Sequence, residues 1–422
     1  MNVDNLPHVL IVGGGFAGLW AAQGLSRASV RITLIDRQNH HLFQPLLYQV
    51  ATAGLSAPDI AAPLRHIFRS QRNVQVFLAD VQRIEPAARS LLLDNGARIV
   101  YDYLILAAGA THAYFGHDEW AQTAPGLKTL EDALDIRRRV LLAFERAELE
   151  KDRQAREAWL SFVIVGGGPT GVELAGTLAE IARHTLRNDF RSIDPTAAKV
   201  RLIEAGPRVL ASFPQDLSRK AEVQLRKLGV EVLLGQAVEA INDEGVRIGG
   251  QAFAARTVLW AAGVAASPLA KALDVPLDRA GRVRVGADLR VPGHAQIFVA
   301  GDLAALEQDG KAVPGVAAAA KQMGAYAAQA ICAAVKGKTI KPFRYRDVGS
   351  LATIGRKAAV VDLRGFKLWG LPAWMFWLFI HVFFLIGFRN RLIVMIDWAW
   401  SYWTYQRNAR IILEPAKEKS PR

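Results

Sequence analysis

Short apolar runs that end in glycine or alanine-glycine recur along the chain as far as about residue 300. They comprise VLIV (9–12), YLIL (103–106), FVIV (162–165), VLWA (258–261) and IFVA (297–300). Continuous apolar runs of this length, bounded by turn residues, predict strands that are buried on both faces. Because helical segments separate them, the pattern predicts an α/β fold with parallel sheets.

Two of these runs begin segments that resemble each other closely. VLIVGGGFAGLWAAQGL (9–25) and FVIVGGGPTGVELAGTL (162–178) are identical at eight of 17 positions, at a constant offset of 153 residues. Each predicts a strand, a G-x-G-x-x-G turn and a helix. In this motif the first glycine allows the tight turn, the second lets a pyrophosphate approach, and the third packs helix on strand. Two copies in this context predict two Rossmann-like dinucleotide-binding domains.

An acidic residue is expected at the end of the strand that follows each helix, where it would bind a ribose. Asp36 follows Gly18 by 18 residues, as expected, whereas Glu204 follows Gly171 by 33 and needs an insertion through RHTLRNDFRSIDPTAAK. An ordinary strand-end carboxylate is the alternative for both residues. A carboxylate there favours NAD over NADP, although Arg208 lies close enough in sequence to weaken that preference.

Three further strand ends fit two nucleotide domains. YDYLILAAGA (101–110) and RTVLWAAGVA (256–265) both end in Ala-Ala-Gly, and AQIFVAGDLA (295–304) ends in Gly301-Asp302. Small residues let the chain turn against a bound cofactor. An isolated Ala-Gly-Asp would be only a turn, but after two glycine motifs it indicates part of a flavin site.

Composition narrows the class of enzyme and sets the C-terminal segment apart. The 422 residues carry a formal net charge of +13, with one cysteine, Cys332, which excludes an intramolecular disulfide and a dithiol redox pair.

From Arg364 onward, 59 residues contain nine Lys/Arg, three acidic residues and six of the ten tryptophans. Leu368–Phe388 contains no Lys, Arg, Asp or Glu, and its 21 residues are enough to span a membrane. However, Gly370, Pro372 and His381 interrupt this apolar run. Two short aromatic helices lying in the membrane interface are the preferred interpretation, and a dimer interface is a third.

The glycine motifs, the Ala-Ala-Gly strands and the late Gly-Asp resemble the flavoproteins with two dinucleotide-binding domains, over roughly residues 7–345. Four more specific segments are similar to type II NADH:quinone oxidoreductases: 40–65, GGGPTGVELAG (166–176), VPGVAAAAKQMG (313–324) and the aromatic tail. The resemblance implies FAD on the first motif, NADH on the second, and electron transfer to ubiquinone or menaquinone without proton pumping. It departs at Ala317-Ala318, where many members have Ala-Gln at the quinone pocket.

The resemblance implies a domain order and a set of site residues. The FAD-binding domain would comprise 1–112 and 288–345, the inserted NADH-binding domain 113–287, and the membrane-association segment 346–422. The predicted catalytic residues are Glu173 and Gln322, and no metal site is predicted. The predicted cofactor-binding residues are Gly13, Gly14, Gly15, Phe16, Ala17, Gly18, Asp36, Arg37, Gln44, Pro45, Ala108, Gly109, Gly166, Gly168, Pro169, Thr170, Gly171, Glu204, Ala262, Gly263, Gly301, Asp302 and Lys321.

Several side chains allow both a functional and a structural interpretation. Glu173 replaces Trp20 of the first copy; the helix dipole would favour an early carboxylate, whereas the resemblance places it near flavin and nicotinamide. His40 and His41 could supply protons to quinol, but capping or surface histidines are commoner. Lys321 and Gln322 would contact the flavin or the quinone, or belong to a plain amphipathic helix.

The predicted partners are a membrane quinone, the bilayer surface and a second copy of the chain, without nucleic acid. The resemblance implies a monotopic position on the cytoplasmic side of the inner membrane, and a spanning helix stays open. The quinone pocket is expected between the 314–330 helix and the tail. The alternative function is a soluble-type NAD(P)H:ferredoxin or dye reductase whose tail serves oligomerisation.

Overall fold

The structure is a computed structural model that describes residues 6–385, 388–404, 407 and 409–412. Residues 413–422, which end the predicted membrane-association segment, lie outside the described residues. In chain order the helices are α1 (Phe16–Gly24), α2 (Leu47–Ala51), α3 (Ala57–Ile60), α4 (Leu64–Ile67), α5 (Trp120–Thr123), α6 (Leu130–Leu149), α7 (Arg153–Trp159), α8 (Pro169–Glu180), α9 (Gln215–Lys227), α10 (Ala317–Val335), α11 (Gly370–Phe384) and α12 (Phe388–Thr404).

The strands are short and numerous. In chain order they are β1 (His8–Val12), β2 (Arg31–Asp36), β3 (His40–Leu42), β4 (Ala61–Pro63), β5 (Val74–Leu78), β6 (Val81–Glu85), β7 (Ser90–Leu93), β8 (Arg98–Val100), β9 (Tyr103–Leu106), β10 (Ala110–His112), β11 (Ser161–Val165), β12 (Lys199–Glu204), β13 (Val230–Leu234), β14 (Val238–Asn242), β15 (Gly245–Ile248), β16 (Gln251–Ala254), β17 (Thr257–Trp260), β18 (Val264–Ala266), β19 (Val283–Arg284), β20 (Arg290–Val291), β21 (His294–Val299), β22 (Ala304–Ala305), β23 (Glu307–Gln308), β24 (Lys311–Ala312), β25 (Ser350–Gly355), β26 (Ala358–Leu363) and β27 (Phe366–Trp369).

The chain divides into two compact units, each built from three separate segments. The first unit comprises Met1–Leu42, Ala61–His112 and Val264–Val348, and the second comprises Phe43–Ile60, Ala113–Gly263 and Gly349–Arg422. Each unit contains one of the two glycine motifs. The predicted α/β class therefore agrees with the structure, while the functional labels of the predicted domains stay predictions.

The first unit is organised around a six-stranded sheet. Its strand order is β20-β21-β9-β1-β2-β5, in which every neighbouring pair is parallel except the antiparallel edge pair β20–β21. All five residues of β1 are buried, as expected for a parallel strand with helices on both faces. Helix α10 packs along α1, and its Gly324 lies against the backbone of Ala17. This packing fixes the helix that follows the first glycine motif.

The second unit repeats the same plan on a smaller sheet. Its four strands are parallel in the order β13-β12-β11-β17, with α8 following β11 as α1 follows β1. The unexpectedly long connection to Glu204 contains a π-helical turn, Ile181–Thr185, and a 3-10 turn, Pro195–Ala197. The insertion that the sequence required is therefore present, and Glu204 ends β12 as Asp36 ends β2.

A small antiparallel sheet joins the tail to the second unit. Strands β25, β26 and β27 form a meander, with α8 and α9 packed on the sheet and α11 packed on β26. Gly176 of α8 approaches the Ile354 carbonyl so closely that a Cβ there would overlap the Ile354 backbone. This sheet was not expected, because residues 346–422 were predicted to form a membrane-association segment.

The apolar run 368–388 does not form one continuous helix. Its first two residues belong to β27, and α11 then extends for 15 residues before Leu385 ends it. Pro372 falls within the first turn of α11, where a missing N–H costs no helical hydrogen bond. Within the part of the chain that the structure describes, no helix is both long and apolar enough to cross a membrane.

We expect Gly324→Ala to destabilise the first unit, because its Cβ would overlap the backbone of Ala17. Overpacking of this kind lowers the free energy of unfolding by about 1–3 kcal/mol. Urea unfolding of both variants measures the effect, with Gln329→Ala, at an exposed position of the same helix, as the control. Equal stability of the two variants would contradict the packing described here.

Candidate functional site

The first glycine loop has the backbone that a dinucleotide site requires. Gly13 has φ +106°, a conformation that L side chains rarely adopt, and a Cβ on Gly18 would overlap the Gly13 carbonyl. By contrast, a Cβ on Gly15 would meet no atom of the described residues within 4 Å. The loop therefore leaves open space in front of its second glycine, where a pyrophosphate would approach.

Asp36 holds this loop against the end of β2. Its carboxylate accepts hydrogen bonds from the backbone N–H of Gly14, at 2.5 Å, and of Gln38, at 2.7 Å. Burial raises the pKa of Asp36, and these two hydrogen bonds oppose that rise. The side chain thus orders the loop as well as standing where a ribose is expected, whereas neighbouring Arg37 is exposed.

Other predicted segments of the first unit converge on the same loop. A Cβ on Gly13 would overlap the Ala107 carbonyl, so the turn that contains Ala108 and Gly109 adjoins the glycine loop. Gly301 has φ +76°, and a Cβ there would lie 3.4 Å from Cβ of Ala17. Asp302 follows in a 3-10 turn, Gly301–Leu303. Four segments that were predicted to form one flavin site are therefore adjacent in space. They are the glycine loop, Asp36, the Ala107–Gly109 turn and Gly301-Asp302.

His41 and Lys321 have neighbours that explain their positions. His41 is 1% exposed, its Nδ1 lies 2.9 Å from the Gly14 carbonyl and its ring meets Phe16 edge-on. Burial lowers its pKa to about 4, so His41 is neutral near pH 7 and its Nδ1–H donates to the carbonyl. The structure thus favours a role in ordering the loop over the alternative role as a proton donor to quinol. Lys321 places Nζ 4.3 Å from the ring centre of Trp20, and burial lowers the pKa of Lys321.

The side chain of Gln322 is bound to the backbone. Its Nε2 donates to the Arg346 carbonyl and its Oε1 accepts from the Arg346 N–H, both at 2.9 Å. This paired contact ties α10 to the segment that follows it in the same unit. The predicted catalytic role of Gln322 stays a prediction, and it would rely on the second N–H or the second lone pair of the amide.

The second glycine loop reproduces the first in detail. Gly166 has φ +110°, and no described atom lies within 4 Å of where a Cβ on Gly168 would be. Glu204 accepts from the backbone N–H of Gly167, at 2.5 Å, and of Gly206, at 2.7 Å. Despite its longer spacing, Glu204 therefore occupies the position that Asp36 occupies in the first unit.

The remaining predicted residues of this loop surround it. Gly168 precedes α8, Pro169 and Thr170 are its first two residues, and the Ala261–Gly263 turn adjoins Gly166. Arg208 donates to the carbonyls of Ala211 and Phe213, at 2.7 and 3.1 Å. Its guanidinium thus has backbone partners, which weakens the argument that it would neutralise Glu204.

Glu173 is a half-buried acid on α8. The helix begins at Pro169, so Glu173 lies beyond the first turn and the helix dipole does not account for it. Burial raises the pKa of Glu173 to about 8, and a hydrogen bond from the Thr353 backbone opposes the rise. At neutral pH this carboxyl therefore carries a proton.

Elsewhere in the same unit, Gln44 starts a 3-10 turn with Pro45, and its Nε2 donates to the Lys128 carbonyl at 3.1 Å.

A cavity near Glu173 is lined partly by the tail, but none of its described lining residues belongs to the 314–330 helix that was expected to form part of the quinone pocket. Its volume is about 770 Å³, including its open mouth, and we call it the tryptophan cavity. Among the described residues no hydrogen-bond partner reaches Nε1 of the buried Trp377. The lining residues are Tyr48, Gln49, Gly54, Thr177, Glu180, Thr185, Thr353, Gly355, Arg356, Trp374, Trp377, Leu378, Trp398 and Arg407.

An ion pair and two hydrogen bonds tie the tail to the wall of the tryptophan cavity. Arg407 lies 3.4 Å from Glu180 and donates to the Thr52 carbonyl at 2.9 Å. Trp398 donates to Gln49 at 2.7 Å, and Gln49 donates to the Tyr48 hydroxyl at 2.9 Å. Burial, followed by the charge of Glu173, raises the pKa of Tyr48 well above its ordinary value. The aromatic and basic tail composition was the available signal, but it could not show which residues the tail would contact.

Comparisons with known proteins agree with this geometry. A model described as pyridine nucleotide-disulphide oxidoreductase matches residues 7–324, and one described as the NDH2 C-terminal domain matches residues 348–404. The chain is 44% identical to the type II NADH:quinone oxidoreductase Ndh of Mycobacterium tuberculosis, over 96% of this chain and 90% of that protein. The type II NADH:quinone oxidoreductase NdhA of the same organism is 46% identical, over 95% and 88%.

The chain belongs to the type II NADH:quinone oxidoreductase family. The resemblance predicted from the motifs is thereby confirmed. The solved structure of NDH2 from Plasmodium falciparum in complex with NADH has the same fold, with a TM-score of 0.87 at 20% identity, covering 97% of this chain and all 100% of that one. Although the broader family takes its name from disulphide chemistry, this type II chain has only Cys332, which is half-buried.

Asp36→Asn and Glu204→Gln form a matched pair that tests which loop binds which nucleotide. Each substitution weakens a charged hydrogen-bond acceptor, a loss of about 1.5–3 kcal/mol and so roughly tenfold or more in affinity. We expect Asp36→Asn to lower bound flavin, measured by absorbance per chain, and Glu204→Gln to raise KM for NADH. Each variant is the control for the other, and a reversed pattern would contradict the assignment.

Proposed function

We propose that the chain oxidises NADH and reduces a membrane quinone, with FAD as its resident cofactor. Membership of the type II family supports this function, as do the relatives named for the same reaction. The observation that carries it is the pair of glycine loops, each with a glycine at positive φ, open space at its second glycine and an acid bound to its middle glycine. Two such loops suit two dinucleotides.

The first loop fits FAD. Gly13, Gly15 and Gly18 would hold the pyrophosphate, and Asp36 would bind the adenosine ribose. Asp302 would lie near the ribityl chain and the pyrophosphate. The fit rests on the open space at Gly15 and on the convergence of Gly301 and the Ala107–Gly109 turn on one loop. Bound FAD would accept two electrons from NADH and deliver them to a quinone, chemistry that no side chain of the protein can supply.

The second loop fits NADH. Gly166, Gly168 and Gly171 would hold its pyrophosphate, and Glu204 would accept a hydrogen bond from its adenosine ribose. A 2′-phosphate would be repelled by Glu204, since Arg208 is engaged with backbone carbonyls and does not pair with it. We therefore infer a preference for NADH over NADPH.

Glu173 is suited to supply a proton for quinone reduction. A quinone takes up two protons when it becomes a quinol, and a carboxyl with a pKa of about 8 is protonated at neutral pH. The tryptophan cavity supports a quinone as acceptor, because its aromatic walls suit a flat ring.

We expect Glu173→Gln to lower quinone turnover by about 10²-fold or more, the usual range for a proton donor. In the unchanged protein the protonated form of Glu173 disappears as pH rises through about 8, so quinone turnover should fall there. The variant should be slow and insensitive to pH in that range. Bleaching of the flavin by NADH under anaerobic conditions is the control and should be retained; equal quinone turnover in both proteins would contradict the role.

The exposed face of α11 supports attachment to a membrane surface. Leu371, Met375, Phe379 and Phe383 recur at intervals of four residues and are 47, 55, 63 and 55% exposed. Such a spacing places them on one face of the helix. Exposed apolar residues Leu392, Met395, Ile396 and Trp400 continue on α12. We infer that both helices lie in the bilayer interface, where their exposed apolar and aromatic side chains would leave water.

The opposite face of α11 explains why the tail cannot simply be removed. Trp377 and His381 are 2 and 9% exposed, and their rings stack at 4.2 Å. Because α11 also packs on β26, truncation before Leu368 would cut β27 and expose the core of the second unit. Surface substitutions therefore test membrane attachment better than truncation of the tail does.

We expect Met375→Glu combined with Phe379→Glu to release the protein from membranes, since charges would replace exposed apolar area. The measurement is sedimentation with liposomes, followed by NADH oxidation with a water-soluble acceptor, which should be unchanged. Leu149→Glu, at a 76% exposed position of α6, is the control and should sediment normally. Sedimentation of the double variant with liposomes would contradict the proposal. The homodimer and the side of the membrane stay predictions.

A further inference from the structure

Phe115 occupies a turn position that aromatic residues rarely adopt. The turn runs from Tyr114 to His117, whose N–H donates to the Tyr114 carbonyl at 3.1 Å. Its two central residues, Phe115 and Gly116, have φ +54° and +94°. Positive φ at both central positions defines a type I′ turn, which is dominated by Gly, Asn and Asp because a bulky side chain is strained there. The backbone therefore does not account for a phenylalanine.

Burial does not account for Phe115 either, since the residue is 70% exposed. Its neighbours are nevertheless firmly anchored: Tyr114 stacks on Trp260 at 5.1 Å, and Trp260 donates to the Ala113 carbonyl at 2.9 Å. The Phe115 ring lies over Gly263, where a Cβ would come within 2.5 Å of its Cζ. The backbone of Phe115 is thus strained and its ring is exposed, while the contacts of Tyr114 and Trp260 hold the ring in place over Gly263.

That place is defined by the parallel sheet of the second unit. Glu204 ends β12, the Gly166–Gly171 loop follows β11, and Gly263 follows β17, which is the next strand in the sheet. A dinucleotide lies across the carboxyl ends of such strands, with its adenosine ribose at the acid and its pyrophosphate at the loop. The nicotinamide half then extends towards the end of β17, which is where Phe115 lies.

We propose that Phe115 is a binding residue for the nicotinamide half of NADH, with its ring forming a wall against the nicotinamide riboside. This inference rests on the proposed function, since it assigns NADH to the second loop. Flat heteroaromatic rings gain free energy by packing on an aromatic side chain, and the exposed face of Phe115 offers such a surface. The gain in binding would offset the strain that the turn imposes on the free protein.

Phe115→Asn separates binding from folding, because asparagine tolerates positive φ. We expect this variant to melt at a higher temperature than the unchanged protein, yet to raise KM and Kd for NADH about tenfold, the value of one lost stacking contact. Kd is measured by anaerobic titration of protein fluorescence after the flavin has been reduced, so that NADH binds without reacting. Phe115→Tyr should keep the affinity of the unchanged protein, and flavin content should be equal in all variants.

Arg364→Asn is the matched control, since Arg364 and Gly365 form another turn with φ +56° and +98° in the same unit. It should gain thermal stability without any change in NADH affinity. Unchanged NADH affinity in Phe115→Asn, or loss of flavin instead, would overturn the proposal. If NADH fails to bleach the flavin of the unchanged protein, the proposed function itself fails, so the two failures are distinguishable.

Discussion

A hydrogen bond between a strand-end carboxylate and the middle glycine of a loop supports both nucleotide sites. It joins Asp36 to Gly14 in the first unit and Glu204 to Gly167 in the second. In each unit this glycine lies one residue before the N-cap of the helix, so the hydrogen bond fixes the loop, rather than the helix itself, against the neighbouring strand. The open space at Gly15 and Gly168 depends on that fixed loop. Each acid thus shapes its site before any nucleotide enters.

The same strand, glycine loop and helix occur in both units, but their side chains differ. The position that is Trp20 in the first unit is Glu173 in the second. Trp20 meets the ammonium group of Lys321, whereas Glu173 is desolvated and holds its proton near neutral pH. The two units therefore share a backbone and differ in the chemistry of the side chain at this helical position.

The tail is less of a free cationic surface than its composition suggests. Arg407 pairs with Glu180, Arg410 with Asp189 and Lys367 with Asp216, so three of its basic groups are matched by acids of the same unit. His381 is also neutral, since burial lowers its pKa to about 4. Helix α11 is apolar on both faces, one against the core and one exposed. We infer that apolar contact contributes more to membrane attachment than charge does.

Periodicity and glycine spacing determined both nucleotide-binding folds, because strand burial and φ angles are local requirements that particular residues meet. They also identified Asp36, and Glu204 despite its long spacing. Other contacts depended on residues far apart in sequence, which local patterns do not encode: the Gln322 amide on the Arg346 backbone, the tail sheet on α8, and Arg407 beside Glu180. Phe115 is the extreme case, since only the tertiary structure places its strained turn over Gly263.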